Sequence, residues 1–507
     1  MKLNAAFVSI GFAILVQACE GEPIENGLLP PPGGGTSAPL GFRLGASGVD
    51  QINGVVVDPA GNVYVAGTFT ASVDFNLGTG IAGLTSQGGP DGFLAKYTGT
   101  GGFVWAVRFG GTEAETVSAL ARDGAGNLYV GGGFGGTTRF DTPGGAQTLI
   151  SAGGTDGYVA KFTTDGNFVW ARRFGSTSTD EVADLAVDAS GNVYAVGAFA
   201  GQADALPAAG ATIVSNGSDF DGFVLSLDGS GAVRWAFSLG GTQADSALAV
   251  RVTSDGAVAV AGTFTGNADF APDTATSGLA AVGGTDVFLA SYSTAGALSW
   301  VRRIGGLGDE AVARGGLAAD ATGGIAATGK FTGSVDFDPG AGVATRTSVG
   351  SSDVYVVRLD GTGAFQSVFT LGGGTGTPAA AYLAFGADGN LLVTGAFAGS
   401  VDFNPGAGTL IITSFGTGGG TDVFVARYTP VGGLLWVSRF GDAANGAGNA
   451  NAGAALAPAA SGAVFVVGQF FGTPDFNPGS GNFSLTSLGD SDGFLVKLAA
   501  DGSLVVP

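Results

Sequence analysis

The chain has 507 residues, 96 of them glycine; 45% are apolar, only 12% are charged, and the net charge is −21 with no histidine. An apolar fraction that high with only 18 prolines excludes a disordered chain, and glycine without a G-X-Y period excludes collagen. The acidic balance repels nucleic acid and anionic headgroups, so no nucleic-acid partner is expected, and the missing histidine removes the commonest general base and metal ligand.

Residues 1–18 carry Lys2, an apolar run through Leu15 and small residues ahead of Cys19. That stretch is too short to span a bilayer comfortably and reads as a secretory signal. "VQAC" (16–19) resembles the bacterial lipoprotein cleavage box, which implies that Cys19 is lipidated and becomes the new N-terminus. An ordinary signal with an incidental cysteine is the alternative, but this is the only cysteine of the chain. Glu20 stands where the sorting rule of enteric bacteria puts Asp for inner-membrane retention. The expected address is therefore the outer membrane or cell surface, with the lipid as the sole membrane contact. Residues 19–39 are Pro- and Gly-rich without apolar periodicity and read as a tether.

From residue 40 to 507 one unit recurs. The glycine that closes each "RFG"-like stretch falls at Gly45, Gly110, Gly175, Gly240, Gly305, Gly372 and Gly441. The aspartate of "DGF/DVF" falls at Asp91, Asp156, Asp221, Asp286, Asp353, Asp422 and Asp492. Each unit of about 65 residues holds four strand-length apolar runs; in the second they are "TVSALARD", "NLYVGGGF", "DGYVAKFT" and "NFVWARRFG". Asp/Gly/Asn turns join the first pair and the last pair, and a longer insert with its own small hairpin separates the second run from the third. A four-stranded antiparallel unit repeated seven times predicts an all-β, seven-bladed β-propeller. The orphan "LGFRLG" (40–45) has no preceding strands, and the last repeat breaks off at Val506. One supplies what the other lacks, so the ends are expected to share a blade and close the ring. An open solenoid would use shorter repeats and need caps at both ends.

The pattern W-x-x-R-F-G-G … D-x-x-G-N-x-Y-V-x-G-x-F … D-x-F-x-x-K-Y resembles the bacterial β-propeller repeat called SBBP, over about residues 40–507. The resemblance implies fold and a surface location, and it brings no shared catalytic residues. The copies depart from it: Ser367 replaces the tryptophan of Trp105, Trp170, Trp235, Trp300 and Trp436, and the fourth and seventh lose the "GN" turn.

The repeated glycines within the second run (Gly67 to Gly468) predict a close approach, assigned to blade-on-blade stacking near the axis. Phe69 and its six counterparts fill the space between blades. Asp50, Glu115, Asp180, Asp245 and Glu310 stand five residues after the marker glycine, with Thr377 and Gly446 in the sixth and seventh places. They are expected to ring one mouth of the channel as a solvated acidic rim. The inserts add Asp74/Asn76, Asp336/Asp338, Asp402/Asn404 and Asp475/Asn477, which suit either Ca²⁺, through oxygen ligands, or turns that bond their own backbone. No Ser-nucleophile, histidine metal or phosphate-loop motif occurs. The function expected is therefore a non-catalytic, monomeric binding or scaffolding module for a protein, polysaccharide or envelope ligand, with Ca²⁺ as the one candidate cofactor. The alternative is a polysaccharide hydrolase or lyase that uses channel-face carboxylates.

Overall fold

In the first repeat, Gln51–Val57, Val63–Phe69, Asp91–Tyr97 and Phe103–Gly111 pair antiparallel in that order. We call them the inner, second, third and outer strands. The computed structural model describes residues 40–142, 144–206, 211–216, 219–271, 277–373, 375–415, 420–442 and 450–505. The signal, Cys19, the tether, Gly446 and Val506 lie outside the described residues. Within them there is no helix, and the four-strand order recurs in every repeat. In the last repeat Ala452–Pro458, Val464–Phe470 and Asp492–Leu498 come from the C-terminal end, and the outer strand is Gly41–Leu44. Its register runs from Gly41 opposite Val496 to Leu44 opposite Gly493. Leu504 and Val505 extend the same edge: Leu40 N–H donates to the Val505 carbonyl at 2.8 Å, and Leu504 bridges Leu498.

The turns explain much of the repeated polarity. Asp58 accepts from the Asn62 amide and side chain, both at 2.8 Å, and from the Tyr64 hydroxyl at 3.1 Å. Asp123/Asn127/Tyr129 and Asp188/Asn192/Tyr194 repeat the clasp. These bonds outweigh burial and hold the three aspartates below the ordinary carboxylate value. The third-strand lysine then lies over the tyrosine ring, Lys96 at 5.1 Å from the Tyr64 centroid.

The glycine ladder has a cause different from the one expected. A Cβ on Gly67 would lie 1.9 Å from the Gln51 carbonyl oxygen, and one on Gly329 1.8 Å from that of Ala311. The close neighbour is thus the inner strand of the same sheet, which bulges there: the register slips between Ile52 and Gly54. Stacking of neighbouring sheets is the work of side chains. Seven buried apolar clusters are found among the described residues, each between two consecutive sheets. The first joins Phe42, Phe465 and Leu495 of the last sheet to Ile52, Val65 and Phe93 of the first. The insert phenylalanines Phe75, Phe337, Phe403 and Phe476 are fully buried against the Phe69, Phe331, Phe397 and Phe470 rings, 5.2–5.6 Å apart and edge-on. Each buried ring contributes about 1.5–3 kcal/mol.

The tryptophans form a second set of ties. Trp170 lies over Gly231 in the next sheet's third-to-outer turn, where the left-handed φ of 79° leaves the glycine face bare. Its Nε1 donates to the Gly229 carbonyl at 3.2 Å. Trp235, Trp300 and Trp436 repeat the bond to Thr294, Gly361 and Ala500. At Ser367 the hydroxyl takes over the donation, to the Pro430 carbonyl, while Phe369 covers Gly432. Leu40 holds the same place in the last sheet and meets Gly101 of the first.

Candidate functional site

The five carboxylates expected at a solvated mouth are buried. Asp50, Glu115, Asp180, Asp245 and Glu310 are at most 2% exposed. Each closes the loop between one sheet's outer strand and the next sheet's inner strand. Asp50 accepts from the amides of Ala46 and Thr70, both at 2.8 Å, and Asp245 from those of Gly241 at 2.7 Å and Thr265 at 2.9 Å. Asp180 takes Ser176 and Ala200, Glu115 takes Gly111, and Glu310 takes Gly306. The acidic rim is therefore a set of internal loop anchors, because orphan loop amides outbid water for these oxygens. In the last repeat the place belongs to Asn451, whose Oδ1 takes the Phe471 amide at 2.8 Å; a longer loop displaces the counted position. In the sixth it belongs to Pro378, opposite Phe397, and not to Thr377. Burial pushes the carboxyls up, to about 6 for Asp50 and Asp245, about 7 for Glu310 and about 8 for Glu115.

Of the two roles expected for the insert pairs, turn closure is the one their hydrogen bonds show. Asp74 Oδ1 accepts from the amides of Asn76 at 2.9 Å and Ala82 at 2.8 Å, and Asn76 Oδ1 accepts from Gly78 at 3.0 Å. Asp336 takes the amides of Asp338 and Ala344, and Asp338 takes that of Gly340. Asp402 takes those of Asn404 and Leu410, and Asp475 those of Asn477 and Phe483. Asn404 was a candidate Ca²⁺ ligand, but its Oδ1 accepts from the Gly406 amide at 3.0 Å. Asn477 was another, and its Oδ1 accepts from the Gly479 amide at 2.9 Å. The oxygens of Asn404 and Asn477 are thus committed to their own loops, because a tight turn points its amides at the nearest side-chain acceptor. Asp336 and Asp338 also line a groove of about 470 Å³ that holds Arg302 and Arg303. Two guanidiniums there counter the charge that a cation would need. Among the described residues no three Asp, Glu or Cys side chains gather as a metal set.

The remaining constellation escaped the sequence. A cavity of about 680 Å³ is lined by all seven inner strands, from Asn53 in the first to Ala455 in the last. Most of its wall is Gly, Ala, Val and Leu, yet Glu181, Asp184, Arg251, Arg314 and Tyr382 break the pattern. Arg314 donates to Glu181 through two bonds, at 2.7 and 2.9 Å, and so reaches from the fifth inner strand to the third. Ser118 of the second adds a bond to the same carboxylate at 2.9 Å. Burial alone would raise the Glu181 carboxyl, but the Arg314 bonds hold it below its ordinary value. Deeper along the strands, Arg251 donates to Asp184 at 2.6 Å and lies over the Tyr382 ring at 5.4 Å. By register Arg251 stands where the other sheets have Val56, Ala121, Ala186, Ala318, Ala384 and Ala457. Arg314 lies in a widened bulge, the slip between Val312 and Leu317, which the two extra residues of that repeat create. That longer interval was the available signal.

Residues 43–68 match the family model of SBBP, a β-propeller repeat. Among curated proteins the chain is 33% identical over 155 residues to regulatory protein FlaEY of Caulobacter vibrioides, covering 30% of this chain and 15% of that one. It is 25% identical over 200 residues to an uncharacterized WD repeat-containing protein, L264, of Acanthamoeba polyphaga mimivirus, covering 34% and 14%. The matches thus span about 15% of the length of these relatives. Similar solved structures include a Bacteroides caccae protein of unknown function, at 11% identity over 71% of this chain and 91% of that one with a TM-score of 0.33. Rhamnogalacturonan lyase YesW aligns at 10% identity over 91% and 77%, with a TM-score of 0.22. With the glycine and second strand of the matched stretch written again in each later copy, the chain is a β-propeller repeat protein of the SBBP type.

Proposed function

We propose that the seven sheets are the blades of one closed propeller, exported and held at an outer membrane or cell surface by a lipid on Cys19. In this reading the propeller is a non-catalytic binding module whose ligand, a polysaccharide or a protein segment, engages the axial cavity. Closure is supported by the seventh apolar cluster, between the last sheet and the first, where an open stack of seven sheets has only six such interfaces. The shared last sheet, built from both chain ends, supports it too.

One observation carries the binding reading: both carboxylates lining the cavity, Glu181 and Asp184, are held by an arginine of another blade. A glycosidase needs one carboxyl kept protonated and a second poised opposite it. Glu181 is biased toward the ionised form, and the repeated acids with raised values are sealed inside loops. A network of planar donors and acceptors beside Tyr382 instead suits recognition of hydroxyls or amides. The test is calorimetry of the full chain against neutral and acidic oligosaccharides and short peptides, with product analysis on the same samples. Saturable binding that is lost in Arg314→Ala and leaves the probe intact supports the reading. Cleaved probe, or binding that ignores Arg314, overturns it.

A further inference from the structure

Five blade junctions share a feature that neither the turns nor the cavity uses. The marker aspartate at the start of one blade's third strand meets the carboxyl that opens the next blade. The pairs are Asp492 with Asp50, Asp91 with Glu115, Asp156 with Asp180, Asp221 with Asp245, and Asp286 with Glu310. In three of the pairs the marker glycine (Gly45, Gly110 and Gly240) lies between the partners. The place a Cβ on Gly110 would take is 2.7 Å from Asp91 Oδ1 and 2.8 Å from Glu115 Oε2; on Gly240 it is 2.9 Å from Asp221 Oδ1 and 2.5 Å from Asp245 Oδ2. All ten carboxyls are at most 2% exposed. In every pair the marker Oδ1 is buried without a hydrogen-bond partner, as it also is at Asp353 and Asp422, and what the pairs add is a second carboxyl, whose glutamate Oε1 is unpartnered as well in two of them.

An ionised carboxylate only accepts. Two of them facing each other in a dry pocket repel, and in every pair at least one leaves an acceptor empty. We propose that each paired junction holds one shared proton, an O–H of one carboxyl donated to the buried oxygen of the other, so that the ring is clasped by protons between its blades.

Charge balance fits. In four of the five pairs a guanidinium reaches the marker aspartate: Arg43 on Asp492, Arg108 on Asp91, Arg173 on Asp156 and Arg303 on Asp286. Two carboxyls, one arginine and one proton sum to zero. The junction from Asp422 differs in charge, because it carries Asn451, an amide that keeps the acceptor for Phe471 and brings its own N–H, although Asp422 Oδ1 is unpartnered there as well. Burial also lifts the clasp acids, Glu115 to about 8 and Asp492 to about 7, with the facing carboxylate adding to the rise. Around Glu115 the other ionisable groups are Arg108 and Tyr158; around Glu310 they are Arg303, Asp309 and Tyr355.

A raised folded-state value means that the folded ring binds protons the unfolded chain has released. The stabilisation is complete below about pH 4 and fades as pH rises through about 6 to 8. The test follows the melting temperature of the full chain from pH 5 to pH 9, together with the infrared band of protonated carboxyls. The melting temperature is expected to fall by several degrees as the band disappears. Glu115→Gln/Glu310→Gln should flatten the fall and reduce the band at pH 6. Asp50→Asn, which copies the Asn451 junction, gives an independent third site should the double variant fold poorly. A melting temperature that is flat or rises with pH, or a slope unchanged in the variants, overturns the clasp. Stability at pH 9 restored by Ca²⁺ and removed by chelator overturns it in favour of a cation between the carboxyls.

Discussion

Two glycines in the first sheet matter for unlike reasons, and the difference is measurable. Gly67 has an ordinary extended backbone, but a Cβ there would sit 1.9 Å from the Gln51 carbonyl oxygen, which is backbone that cannot step aside. Gly61 has open space around its missing side chain and a left-handed φ of 85°. Gly61→Ala therefore incurs only conformational strain, about 1–2 kcal/mol. Gly67→Ala meets no such strain but must push the inner strand off its bulge, at roughly 1–3 kcal/mol or more. Denaturant unfolding should rank Gly67→Ala as the worse of the two, and equal losses would mean that the bulge yields freely. The sequence already said that something approaches the glycine ladder, since glycine inside a strand weakens it without a reason. It could not say what, because the partner is a carbonyl made close by a register slip that carries no residue signature.

At the scale of the element, the inserts were legible almost to the hydrogen bond, because an Asp-x-Asn-Pro-Gly turn is local chemistry. Asp336 Oδ1 ties two amides, those of Asp338 and Ala344, across eight residues. Asp336→Ala strands both and should cost about 1–3 kcal/mol, while Asp336→Asn keeps the accepting oxygen and should melt close to wild type. Neither melt should respond to Ca²⁺ or chelator. A Ca²⁺-dependent rise in the wild type that Asp336→Asn abolishes would instead make the insert a metal loop. The cavity constellation was not legible at this scale. Arg251 and Arg314 look like surface charges in "LAVRVTSDG" and "EAVARGGLAAD", and only the register and the widened bulge turn them toward the cavity. The acidic ladder misled for a related reason: regular spacing places residues at the same end of every sheet but does not tell inside from outside.

At the scale of the whole molecule, the sequence announced both the repeat and its complementary ends, and the prediction with the widest reach concerns that joint. Gly41–Leu44 form the outer strand of the last sheet, and residues 40–44 fill the first apolar cluster with Phe42 and Leu44 and bring Arg43, itself 1% exposed, to Asp492 at 3.2 Å. Deleting them leaves Asp492–Leu498 as a bare edge and buries Asp492 beside Asp50 without its guanidinium. In an open stack such a loss stays local, since each repeat leans only on its neighbours and the far blades keep their stability. In a closed ring every blade is braced from both sides, so opening one joint turns two interior blades into ends. Hydrogen exchange separates the cases. A ring predicts that protection falls in the first and last blades together, with the melting temperature lowered by several degrees and the bared edge promoting self-association on sizing columns. Loss confined to the last blade, with the Gln51–Val57 amides as protected as before, would mean that the first blade never depended on the last.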